Sequence, residues 1–237
     1  MFAPGALLAD TLTRPSRYLI VESGLIATLI GGRSERGICV GLQGPGAVIG
    51  PDVASAAASG VAMSWRALGS VQAHGVSDAA FAQALHAEPA LCSAYIRHLE
   101  TRLIRSQQIA ACNARHSLAA RSAHWLLVLR QWLGDVVPVT HAFLATIVGA
   151  RRAGVGVTLQ ALQQAGAISQ ARGIIRILDL KPLRAAACSC PVHAERAPDL
   201  LARLPLWQEA GSVSPAERTS KRPRLVKAGQ AGYPPTP

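Results

Sequence analysis

Aromatic and acidic residues are scarce in this chain of 237 residues. Phe, Trp and Tyr make up 4% of the sequence and hydrophobic residues 50%, so the core must be built mainly from small aliphatic side chains. Asp and Glu number 13 against 24 Lys and Arg, which gives a net charge of +11. A basic excess of this size favours a polyanionic partner such as a nucleic acid.

The chain also lacks the sequence features of secreted, membrane-spanning and catalytic proteins. Its first residues, MFAPGALLAD, have no basic signal-peptide segment, and uncharged runs such as Val53–Trp65 are too short to span a bilayer. An odd number of cysteines, five, fits a reducing cytoplasm better than a disulfide framework. Because no paired carboxylates, nucleophile elbow or phosphate-binding loop occurs, we expect a cytoplasmic protein that is not an enzyme and uses no cofactor.

Metal binding is also not expected from the sequence. Cys188 and Cys190 lie close together with His193 nearby, but two thiols and one imidazole are fewer ligands than a structural zinc site usually has. We therefore interpret these cysteines as ordinary free thiols and predict no metal site.

The basic excess is concentrated in one part of the chain. Residues 101–184 carry 11 basic and 2 acidic side chains, whereas residues 1–100 carry 6 basic and 7 acidic ones. Residues 211–237 are rich in Pro and basic groups and poor in apolar ones, and we predict a disordered tail over residues 191–237. Phosphate neutralisation by Lys and Arg supplies most non-specific affinity for DNA, so residues 101–184 are the candidate DNA-binding part.

The stretch Pro138–Leu178 has the pattern of a winged helix-turn-helix. Thr140 is a plausible N-cap of a first helix, and Gly149 ends that helix because glycine adopts the left-handed cap conformation at little cost. A second helix follows from about Arg151 to Ala165. β-branched residues around the segment SQARG then predict a hairpin, which would be the wing.

The chain before this stretch predicts a small β-roll and a long helix. Short apolar runs separated by Gly-rich turns, beginning at Tyr18, indicate antiparallel strands. A helix is expected after Pro89, to about Ala114, with an apolar stripe through Tyr95, Leu99 and Leu103. The stripe is long and narrow, as in the seam of a two-helix dimer. A further helix is predicted over Leu118–Leu133.

This order of parts resembles the Crp/Fnr family of bacterial transcription regulators. The resemblance covers about Arg17–Cys190 and is carried by QQIAACNARHSLAARSAHWLL and LATIVGARRAGVGVTLQALQQAGAI, with GICVGLQGPGAVIG resembling the end of the family's effector domain. It implies an α+β protein: a cyclic-nucleotide-binding-like β-roll over residues 17–88, a dimerisation helix over 89–114, and a winged helix-turn-helix over 115–190. The roll is expected to be incomplete at its start.

The resemblance also implies which residues contact DNA. The first exposed positions of the recognition helix reach base edges; here these are Arg151, Arg152 and Gly154, with Val157 one turn on. Relatives of the catabolite-activator type carry an acidic residue and a second arginine where this chain has Ala153 and Val157, so their operator sequence is not expected to apply. Further candidate DNA-contacting residues are Thr140, His141 and Arg172.

The effector side departs from the family pattern. Cyclic-nucleotide-binding members use a Gly-Glu pair and an Arg-Ser or Arg-Thr pair, whereas this chain has Gly50-Pro51-Asp52 and only a loose candidate arginine, Arg66, followed by Ala67. The cysteine cluster of the iron–sulfur relatives has no counterpart before Cys39. We therefore expect no regulation by cyclic nucleotides.

Three functions remain open on the sequence alone. The favoured one is a homodimeric, sequence-specific regulator that binds double-stranded DNA, with RNA polymerase as a further candidate partner and no membrane. The second is a dimeric interaction module that has lost base reading. The third is a small-molecule sensor or enzyme built on the roll.

Overall fold

The computed structural model describes residues 1–10, 17–31, 37–50 and 60–190. The predicted tail, residues 191–237, and His193 with it, lie outside these ranges. The N-terminal part consists of short strands, and the expected α+β class is observed. The strands are β1 (Leu7–Asp10), β2 (Arg17–Ser23), β3 (Ile26–Ile30), β4 (Ile38–Gln43), β5 (Val48–Ile49), β6 (Met63–Ala67) and β7 (Gln72–Ser77).

These strands form two antiparallel sheets that pack face to face. The order is β1-β6-β3-β4 in one sheet and β5-β2-β7 in the other. Leu19, Val21 and Ile49 from the three-stranded sheet share a buried cluster with Ile26 and Trp65 from the four-stranded sheet. The small β-roll expected from the sequence is therefore present.

The roll begins earlier in the chain than the sequence analysis placed it. β1 pairs with β6, and Phe2 forms an isolated bridge with Val71. β1 was missed because a four-residue edge strand, LLAD, is too short for an alternating pattern to be recognised.

Three helices follow the roll: α1 (Asp78–Ala87), α2 (Pro89–Arg115) and α3 (Leu118–Leu133). The hydroxyls of Ser77 and Ser117 cap α1 and α3 by accepting first-turn N–H groups, each at 3.2 Å. Pro89 starts α2, where its missing N–H costs nothing, and the 27 residues give a helix of about 40 Å. The predicted spans of α2 and α3 are confirmed.

The C-terminal part combines three helices with a small sheet. It contains β8 (Val136–Val137), α4 (His141–Val148), α5 (Arg152–Gln164), β9 (Ile168–Ala171), β10 (Ile174–Ile177) and α6 (Leu180–Ala186). β9 and β10 form the predicted hairpin. The two-residue β8 pairs with β10 and, like α6, was not predicted, because such short elements depend on their partners for stability.

One apolar core joins the roll to the C-terminal part. Ala27 and Leu29 alternate with Ile26 along β3, so they point to the opposite face of the sheet. On that face they belong to the same buried cluster as Leu126 of α3 and Ile147 of α4. The four-stranded sheet is therefore covered on one side by the other sheet and on the other side by the helices.

The described helices were compared with the length and hydropathy that a membrane span requires. Taken singly, none of them is both long and apolar enough to cross a bilayer. α4 and α5 reach the required length and hydropathy only as a pair, which is bent by 102°.

Replacing Leu29 by Ala tests the shared core. Leu29 is 1% exposed, so its truncation should lower the free energy of unfolding by about 2–5 kcal/mol. Because the core is continuous, urea unfolding should show one transition at a lower midpoint, whether followed by Trp65 in the roll or by Trp125 in α3. Leu178→Ala, at a side chain that is 58% exposed, is the control and should cost much less. Two separate transitions in the parent protein would contradict a shared core.

Candidate DNA-binding site

The turn between α4 and α5 is defined by a cap at each end of α4. Thr140 accepts the Phe143 N–H at 3.1 Å and starts the helix. Gly149 ends it in the left-handed region, at φ 62° and ψ 46°. The helix axes then turn by 102°, which is the angle of a helix-turn-helix. The predicted N-cap and glycine turn are confirmed.

One face of α5 is buried, which determines what the other face presents. Val155, Leu159 and Leu162 lie in the shared core, and Thr158 is also buried. Arg151 and Arg152 are exposed at the N-terminal end of the helix, and Val157, on the side of the helix opposite Val155, is 70% exposed. The three predicted base-reading side chains are therefore accessible from solvent.

Gly154 lies elsewhere on the helix. A β-carbon at this position would lie 2.9 Å from Leu118 Cδ2, so Gly154 allows α5 to approach α3 closely. In the sequence, Gly154 was grouped with the base-reading residues because of its position after Arg152. The structure supplies a packing reason for this glycine.

Glutamines extend the exposed face beyond the residues that the sequence predicted. Gln160 is exposed one turn after Val157. Gln170 on β9 donates from Nε2 to Oε1 of Gln163 at 3.1 Å, which ties the wing to the end of α5. The helical spacing 153, 157, 160, 164 could have identified this face from the sequence.

The remaining predicted contacts flank α5. Thr140 is exposed and His141 half-buried at the start of α4. Arg172 is exposed at the tip of the hairpin beside Gly173, whose φ of 75° makes the tight turn. The exposed Arg176 on β10 was not predicted.

Along α2, the predicted stripe divides between two faces. Leu99 and Leu103 are 39% and 60% exposed, and Ile96 and Ile104 extend this surface, which we call the α2 stripe. Tyr95 instead packs edge-on against Phe81 of α1, with ring centroids 5.3 Å apart, and is 8% exposed. The sequence grouped Tyr95 with Leu103 because an i, i+4, i+8 series was treated as one line, although eight residues rotate by about 80° around a helix.

A cavity of about 460 Å³ lies between the four-stranded sheet and α2. Its lining includes Thr28, Gln43, Leu99 and Arg102, and the Gln43 amide oxygen accepts two hydrogen bonds from the Arg102 guanidinium, at 2.8 and 3.1 Å. Arg66, the loose candidate for a phosphate-binding arginine, donates to the Gly5 carbonyl at 3.3 Å. Residues 51–59, on which the cyclic-nucleotide expectation also depends, lie outside the described residues.

Comparisons with known proteins agree with this architecture. Residues 120–186 match the Crp-like helix-turn-helix domain. A CRP-family transcriptional regulator from Thermus thermophilus is similar at 23% identity, with a TM-score of 0.63 over 82% of this chain and 98% of that chain. FixK2 from Bradyrhizobium japonicum is similar at 14% identity, with a TM-score of 0.62 over 80% of this chain and 96% of that chain. No curated protein sequence gives a significant match.

Replacing Gly149 by Ala tests the turn. The nearest atoms to an added β-carbon would be Asn113 Nδ2 at 3.5 Å and Ile38 Cγ2 at 3.6 Å, which is ordinary contact. The cost should therefore come from the left-handed backbone alone, about 1–2 kcal/mol of unfolding free energy. Gly156→Ala, in the interior of α5 with open space around it, should instead stabilise by roughly 0.5–1 kcal/mol. Denaturant unfolding measures both, and destabilisation by Gly156→Ala as large as by Gly149→Ala would contradict this reading of the turn.

Proposed function

We propose that this chain, which has the fold of the Crp/Fnr regulators and a Crp-like helix-turn-helix domain, is a transcriptional regulator that binds specific DNA sequences as a homodimer. One observation carries the proposal. Arg151 and Arg152 are exposed at the N-terminal end of a helix that Val155, Leu159 and Leu162 hold in the core. A helix presented in this way can enter the major groove with its N-terminal side chains toward the bases.

The exposed face of α5 has the chemistry for reading base edges. An arginine can donate two hydrogen bonds to O6 and N7 of guanine, and a glutamine can pair with N6 and N7 of adenine. Arg151 and Arg152 would therefore contact guanines, with Gln160 as an adenine-reading candidate. Val157 supplies an apolar contact for a thymine methyl group.

Residues around α5 would hold the phosphate backbone. The Thr140 hydroxyl and the His141 ring lie at the start of α4, and Arg172 lies at the tip of the wing. Contacts of this kind fix register without reading sequence. In this proposal residues 115–190 form the DNA-binding domain, and the basic excess of residues 101–184 supplies much of the affinity.

The α2 stripe supports dimerisation. Ile96, Leu99 and Leu103 are spaced by three and four residues, which is the repeat of a helix pair with an apolar seam. Large apolar side chains exposed along one face of a helix are costly unless covered. A second copy of α2 would cover them and would relate two recognition helices by a two-fold axis, as a palindromic site requires.

The other functions have less support. An interaction module without base reading does not explain why the arginine pair is exposed on α5. The cavity beside α2 favours a small-molecule effector that acts together with DNA binding. Its lining includes residues of the four-stranded sheet and of α2, the helix that carries the α2 stripe. Cyclic nucleotides are still not expected to be that effector. Control of transcription would then act through RNA polymerase or by blocking its access.

Removing the arginine pair tests DNA reading. Fragments selected from random DNA by the parent protein serve as the probe. The double variant Arg151→Ala with Arg152→Ala should lose about 1–3 kcal/mol of base discrimination for each arginine, roughly 5- to 150-fold in affinity. Fluorescence anisotropy at fixed salt measures the change.

The matched control removes two arginines elsewhere. Arg97 on α2 and Arg184 on α6 are exposed and lie outside α5 and the wing, so the double change to Ala lowers the net charge equally. The affinity of this control variant should fall by similar factors for selected and for random DNA. If the Arg151/Arg152 variant kept the parent preference for selected DNA, the assignment of α5 as the reading helix would be wrong.

Charged substitutions in the α2 stripe test the dimer. Leu99→Asp with Leu103→Asp should give monomers at micromolar concentration, because two carboxylates per chain would be buried in an apolar seam. Binding to a two-half-site fragment should fall more than tenfold, whereas Arg184→Asp, at an exposed residue of α6 away from α2, should leave the dimer intact. Analytical ultracentrifugation gives the mass, and a monomeric parent protein would refute this part of the proposal.

A further inference from the structure

Three cysteines and one histidine meet where α2 ends and the chain leaves α6. Cys112 and His116 are four residues apart at the end of α2, and Cys188 and Cys190 follow α6. One ligand atom from each residue can be chosen so that all four lie within 4.8 Å of one another. Cys112 is buried, and Cys188 and Cys190 are partly buried.

The spacing of these atoms is that of a mononuclear tetrahedral site. Zinc–sulfur bonds of about 2.3 Å in a tetrahedron place two sulfurs about 3.8 Å apart. The Sγ atoms of Cys112 and Cys188 are 3.8 Å apart. In an iron–sulfur cluster the four ligands are divided among two or four irons and cannot all lie close together, so this compact set favours a single ion.

We propose that Cys112, His116, Cys188 and Cys190 bind one zinc ion. Three thiolates and one imidazole are a ligand set of structural zinc sites, and four protein ligands leave no open position for catalysis. The ion would therefore have a structural role.

The surroundings of the cluster suit thiolates held by a cation. Cys112 is buried beside the other two thiols, and thiolates this close together would repel one another without a cation between them. Gln108 donates from Nε2 to the sulfur of Cys190 at 3.3 Å. Such a donor would orient the ligand and stabilise its charge from outside the coordination sphere.

The location gives the ion a defined mechanical effect. Cys112 and His116 belong to the end of the long helix, whereas Cys188 and Cys190 belong to the end of the C-terminal domain. Between them the chain changes direction at Ser117, and the Cys188 N–H donates to the Ala120 carbonyl at 3.3 Å. Zinc would add a stronger tie and fix the orientation of this domain relative to α2.

The first experiment measures metal in the full chain. The protein is purified under reducing conditions from zinc-supplemented medium and analysed by elemental mass spectrometry. We expect one zinc per chain, and at least a tenfold loss in the variant Cys112→Ser with Cys188→Ser. Cys92→Ser is the matched control, since Cys92 lies on α2 outside the cluster, and it should keep one zinc.

The second experiment uses the unmodified protein, so it does not depend on a variant that folds. After zinc is removed with a chelator, titration with Co²⁺ should produce the visible bands of a tetrahedral thiolate site at one equivalent. Zinc should then protect Cys112, Cys188 and Cys190 from alkylation, mapped by peptide mass, but leave Cys92 unaffected.

Specific results would overturn the proposal. These are a parent protein that binds neither metal, full zinc content in the Cys112/Cys188 variant, iron with acid-labile sulfide in place of zinc, or a disulfide between Cys112 and Cys188 that persists under reducing conditions. None of these results depends on DNA binding, so the proposed function and the zinc site can fail independently.

Discussion

The apolar core that runs from the four-stranded sheet through α3 and α4 to α5 is the constraint on which the other features depend. It contains few aromatic side chains and many of modest size, so its stability comes from its continuous extent. The core holds one face of α5 and thereby determines which side chains are exposed. The roll supplies part of the same core, so α5 and the roll are mechanically connected.

Helix α2 is long enough to contact three different parts of the molecule along its length. Its first turns bury Leu91 and Tyr95 under α1, its middle carries the exposed stripe and lines the cavity, and its last turn carries Cys112 and leads to His116. A shift of α2 would therefore change the cavity, the proposed dimer seam and the proposed zinc site together. Coupling between these places requires two alternative positions of α2. Because α2 lies between the cavity and the proposed dimer seam, a ligand in the cavity could favour one position over the other.

Much of the fold could be predicted because its signals are local. Thr140 and Gly149 set the limits of α4 through hydrogen bonds within a few residues, and the apolar period set those of α2 and α3. β1, β8 and α6 were missed because two to seven residues have no reliable period. The ten-residue α1 was also missed, because residues 17–88 were all assigned to the roll. In the candidate site, the exposure of Arg151 and Arg152 followed from their place just after the glycine turn and that of Val157 from helical spacing, but the role of Gly154 against Leu118 required the neighbouring helix.

The sequence by itself determined the order of elements, the charge of the C-terminal part and the composition of the reading helix, since all of these depend on near neighbours in the chain. The tertiary structure alone decided that Tyr95 faces inward while Leu99 faces outward, because that choice depends on what packs against α2. It also decided that Cys112 and Cys188, 76 residues apart, lie in contact. Cys188, Cys190 and His193 by themselves are too few ligands for a structural zinc site. The further residues of the proposed site, Cys112 and His116, lie at the end of α2, and only packing brings these distant segments together.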